Sequence, residues 1–95
     1  MQADIIYPWT QDAVTVALPL NLAERLAKLR QIVCGEMLQI VPLHEDTFMC
    51  IREDAKLHVH IKNNEATRIA HMASAIDLTD YIAGTAVIVP RQAIP

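Results

Sequence analysis

Twice along this chain an apolar pattern of period two gives way to an apolar stripe at helical spacing, and each time asparagine stands at the change. Side chains alternate across a strand but recur every three or four residues along one helix face, so the two switches restrict the fold to strands mixed with two helices. From Ala13 to Leu18, Val14, Val16 and Leu18 lie on one face and Ala13, Thr15 and Ala17 on the other, which predicts a strand. Pro19 closes it, and Asn21 with Glu24 has the spacing of a capping box. Leu22, Leu26, Leu29 and Val33 then form the buried stripe of a helix whose Glu24, Arg25, Lys28 and Gln31 face solvent, and Gly35 is expected to end it in a left-handed turn.

Two apolar runs follow, Met37 to Pro42 and Thr47 to Ile51, with a polar turn at His44 to Asp46 between them. Arg52 to Ala55 reads as a hairpin connection into a strand with Leu57, Val59 and Ile61 inward and His58, His60 and Lys62 on a wet face. Asn63 and Asn64 offer caps for a second helix, Glu65 to Ala75, with Ile69, Met72, Ala73 and Ile76 on one side. After a turn containing Tyr81, Gly84 precedes a last apolar strand, Thr85 to Val89, stopped by Pro90. The expected architecture is α+β: a mixed or antiparallel sheet of about five strands, two helices packed on one face, in the order β-α-β-β-β-α-β. Because Pro8 disfavours a central strand, residues 1–12 read as an extended arm, 13–90 as one α+β domain and 91–95 as a tail.

Size and composition bound what such a domain can do. With 95 residues, 53% of them hydrophobic, the chain has little interior for so many apolar side chains, and some are expected to face a partner. Those without an assigned place are Ile5 to Trp9, Met37 to Val41 and Thr85 to Val89. No apolar run approaches a membrane span and no signal-peptide pattern opens the chain, so the expectation is a cytoplasmic protein without a membrane partner. Eight Lys and Arg against 11 Asp and Glu, with no basic cluster and few aromatics, disfavour nucleic acid. Two cysteines, Cys34 and Cys50, are too few for a disulfide scaffold or a structural zinc site and read as small buried hydrophobes.

Several segments together resemble a known family. Leu29-Arg30-Gln31-Ile32-Val33-Cys34-Gly35, the following Leu38-Gln39-Ile40-Val41, the asparagines before the second helix, and Ile82-Ala83-Gly84-Thr85-Ala86-Val87-Ile88-Val89 are similar to a family of small domains of unknown function, numbered 3846, found in phages, plasmids and integrated elements. Cys34 stands where the resemblance places a second glycine beside Gly35. The resemblance implies a mobile-element origin and, by analogy, action through binding a host protein or a host small molecule.

Candidate chemistry is sparse. His58 and His60 would share a strand face, but two imidazoles are not a metal site, so no metal or cofactor is expected. Apolar neighbours quiet Cys50, the acidic pairs Glu45–Asp46 and Glu53–Asp54 read as solvated loops, and two glycines cannot build a phosphate-cradling loop. An enzyme is not expected. The wet face of His58, His60 and Lys62, with neighbouring Arg52, is the candidate protein-binding surface, and Ile5, Tyr7 and Trp9 are the candidate interface, as a lid on the chain's own core or an anchor in a partner. The expected function is a self-associating, non-enzymatic binding module that inhibits a host defence protein. The alternative is a binder that sequesters a nucleotide or nucleotide signal, with Arg52, Lys62, Asn63 and the amide end of the second helix holding phosphate.

Overall fold

The computed structural model describes residues 1–58 and 61–95. Five strands form one antiparallel sheet in the order β2-β1-β5-β4-β3: β1 (Gln2–Ile6), β2 (Val14–Ala17), β3 (Leu38–His44), β4 (Thr47–Arg52) and β5 (Ala86–Pro90). Three helices accompany them, α1 (Leu22–Val33), the single turn α2 (Ala55–His58) and α3 (Asn64–Met72), and a 3-10 turn at Arg91–Ala93 follows β5. The α+β class and the five-stranded sheet agree with the sequence pattern, but one member of the sheet differs.

The predicted arm supplies the missing strand. Gln2–Ile6 lies between β2 and β5, with Ala3, Ile5 and Ile6 buried, and Pro8 falls beyond its end, where a lost amide costs the ladder nothing. Conversely, the strand expected from Leu57 to Lys62 does not form among the described residues. Ala55–His58 is a helical turn, and the remaining sheet contact is an isolated bridge from Lys62 to Ala83. Val59 and His60 lie outside the described residues. Leu57 and Ile61, the intended inward face, are 75% and 57% exposed. With β1 on one side of β5 and β4 on the other, the central strand has no edge left to offer.

The two main helices cover opposite faces of the sheet, correcting the expectation of one shared face. Cys50, Val87 and Val89 pack with Leu29 and Val33 of α1, whereas Met49, Ile51 and Ala86 pack with Ala66 and Ala70 of α3. Adjacent residues in β4 and β5 point to opposite sides, so each side has its own cluster. This explains why these strands are apolar in both registers: both faces are interior. Burial of Leu29, which is completely enclosed, contributes about 2 to 3 kcal/mol.

Local signals set the helix ends. Asn21 accepts the Glu24 amide at 3.0 Å, as its spacing predicts. At the other end Cys34, not Gly35, adopts the left-handed conformation, with φ of 58°, while Gly35 donates its amide to the Arg30 carbonyl at 3.1 Å. Gly35 has a different role, leaving room for Arg52: a Cβ there would stand 2.5 Å from its Cγ, and the arginine would have to move. Cys34 is also exposed, so only Cys50 fits the reading of a buried thiol. Arg25, expected in solvent, is 7% exposed, and its guanidinium donates to the carbonyls of Ala93, Pro19 and Leu20. It ties the patternless tail to the start of α1. No helix among the described residues is long and apolar enough to cross a membrane.

Candidate functional site

The residues assigned to a binding face from sequence divide into an interior group and a surface group. Asn63 is wholly buried, and every hydrogen bond it makes is internal. Its side-chain amide donates to the carbonyls of Ile6 and Gly84, each at 2.8 Å, and its oxygen accepts the Ala66 amide at 3.0 Å. It caps α3, as expected, and pins that cap to β1 and to the turn at Gly84, whose φ of 76° suits glycine. Asn63 therefore has nothing free to give a phosphate, and its side-chain oxygen already occupies the Ala66 amide in the first turn of α3.

Arg52 and His58 do come together, around Asp54 rather than on a strand face. The Arg52 guanidinium donates to one carboxylate oxygen of Asp54 at 2.6 Å, and Nε2 of His58 lies 3.2 Å from the other. The hydrogen bond from Arg52 holds the Asp54 carboxyl below its ordinary value. Arg52 lies against Gly35, with Cys34, Met37 and Glu53 completing the walls of an open hollow of about 490 Å³. Lys62 is exposed near the Ala83 bridge, and His60 lies outside the described residues. Among the described residues no three His, Cys, Asp or Glu side chains converge.

The aromatic segment also separates. Ile5, proposed at an interface, is 4% exposed in the cluster beneath α1 and cannot reach a partner. Tyr7 is half-buried against the same cluster, and Trp9 stacks on it with ring centroids 4.9 Å apart and 16° between planes. Trp9 itself is 74% exposed. It overhangs an open cleft of about 580 Å³ between the turn Pro8 to Gln11 and the first turns of α3, where Asn64, Glu65 and Arg68 form the opposite wall. Arg68 donates to Glu65, which lowers the Glu65 carboxyl and raises the guanidinium.

The other titratable groups are held by burial, by an opposite charge or by main-chain carbonyls. Burial pushes the Cys50 thiol up to about 12. Lys56 donates to Asp80, keeping that carboxyl below its ordinary value, and lies over the Tyr81 ring at 4.5 Å. His71 reaches the carbonyls of Asp77 and Asp80. Neither the burial of Arg25 nor the cleft under Trp9 has a local signal in the sequence, because both depend on where distant turns meet. No family model, curated protein or solved structure matches the chain.

Proposed function

We propose that this chain is a non-enzymatic binding module that seats Trp9 in an apolar pocket of a partner protein. The observation that carries the reading is the exposure of this large ring at 74%, on a half-buried tyrosine that holds its orientation, beside a cleft with a charged far wall. A stacked indole loses little freedom when a partner covers it, and tryptophan is enriched among the residues that dominate binding energy. The absence of enzymatic chemistry is supported by the thiol of Cys50 being held protonated and by Asp54, Glu65 and Asp80 being committed to neighbouring cations.

We propose, on the sequence resemblance alone, that the partner lies in the host cytoplasm and is a component of host defence. The nucleotide reading has less support, since Asn63 is sealed and Arg52 is spent on Asp54. Capture from host lysate on the immobilised protein tests the proposal. Trp9→Ala is expected to lose the captured protein while lowering stability by less than about 1 kcal/mol, the scale of an exposed aromatic pair. Equal capture by wild type and variant, or no capture by either, overturns it.

A further inference from the structure

The two edges of the sheet are built differently. At β3, Pro42 removes an amide and the pairing with β4 shifts between Pro42 and His44, both common devices for keeping an edge from meeting another strand. At β2 there is neither proline nor bulge, and the chain carries no charged residue from Ala13 through Ala23.

The β1–β2 ladder fixes which groups of β2 are free. Leu18 donates its amide to the Met1 carbonyl at 2.6 Å, in register with the Ala3↔Val16 and Ile5↔Val14 pairs. Hydrogen-bonded pairs alternate along an antiparallel ladder, so Val14, Val16 and Leu18 turn their main-chain groups toward β1, and Ala13, Thr15 and Ala17 turn theirs outward. Among the described residues no strand lies beyond them.

This outward segment, Ala13-Val14-Thr15-Val16-Ala17, reads the same in both directions. We propose that it pairs with the same segment of a second copy, antiparallel about a twofold axis at Thr15, so that two five-stranded sheets become one. In that register Thr15 faces Thr15, Val14 faces Val16 and Ala13 faces Ala17, and the outward groups of Ala13, Thr15 and Ala17 meet in about six main-chain hydrogen bonds. Val14, 46% exposed in the single chain, is covered by Val16 of the second copy in the close, non-hydrogen-bonded type of pair. Both copies carry net charge −3; the two Asp12 carboxylates lie about 20 Å apart along the junction, and the Asp4 carboxylates, one strand back from the axis, each accept the hydroxyl of their own Thr15 at 2.8 Å, so their repulsion further weakens the pair at low salt. The contact is isologous and closed, so it stops at two copies. Its small area makes the dimer weak and concentration-dependent. It does not involve Trp9 and stands independently of the partner proposed above.

Sedimentation of the wild-type protein from micromolar to millimolar concentration is expected to show a mass rising from the 10.6 kDa of one chain toward twice that value. A constant single-copy mass overturns the proposal. The axis is tested in a Cys34→Ser background, which removes the exposed thiol. Thr15→Cys places two thiols on residues whose Cα atoms are about 5.5 Å apart, within disulfide reach, whereas in Ala17→Cys the like residues are about 14 Å apart. Rapid oxidative dimerisation of Thr15→Cys, at least tenfold faster than Ala17→Cys, supports the axis; equal rates overturn it. Trp9→Ala is expected to dimerise as wild type does.

Discussion

Asn63 and Arg52 carry comparable hydrogen-bonding capacity and looked interchangeable as ligand-binding groups, yet the fold uses them in opposite ways. Asn63 is enclosed and joins three elements, bonding β1, the Gly84 turn and the first turn of α3. Arg52 bonds a carboxylate two residues away, at a corner open to water. A polar side chain's worth to the fold thus follows from whether water could replace its partners. At Asn63 water cannot enter, so each lost bond leaves a buried group unsatisfied; around Asp54 solvent substitutes readily.

The sharpest way to break this contrast is Asn63→Ala. It removes the cap and two buried donations together, and a loss of about 3 kcal/mol in chemical denaturation is expected. A change below about 1 kcal/mol would mean that the interior bonds are easily replaced. Next in size is Cys34→Gly, which relieves the left-handed conformation of a residue with a Cβ at the end of α1. Set against glycine's greater freedom in the unfolded chain, a gain of about 0.5 to 1 kcal/mol is expected. The smallest effect belongs to Asp54. Because its carboxyl is lowered by Arg52, the pair supports the fold above the ordinary 3.8 and that support fades as pH falls below this value. Asp54→Asn is expected to leave the melting temperature near neutral pH almost unchanged and to flatten its decline in acid; a large loss at neutral pH would put the corner on a par with Asn63.

Most of the sheet and both long helices were legible because their signals are local. Asn21 and Asn63 cap the helices their spacing announces, and β2, β3, β4 and β5 follow their apolar runs. Signals that depend on distant partners mislead. Pro8 disfavours a central strand only at its own position and lies outside β1, and among the described residues β1, not the alternating segment at Leu57 and Ile61, pairs with β5 opposite β4. Helix α3 has Ala66, Ile69, Ala70 and Met72 as its apolar residues, and the sheet selects Ala66 and Ala70 while leaving Met72 75% exposed, since small side chains let the helix sit close. At the candidate site the sequence named Trp9 and Arg52 but could not show that Ile5 and Asn63 face inward, because burial depends on the elements that cover them.

The pairing of β1 with β5 has a further consequence for how the protein comes into being. During synthesis β1 must wait for β5 before its second edge is closed, so neither half of this sheet can finish before Ala86–Pro90 has emerged. Contacts this distant in sequence slow folding relative to a helical protein of equal size. Until then the nascent chain displays Ile5 and Ile6 on an unfinished hairpin, and a chaperone that holds apolar strands would find its substrate there.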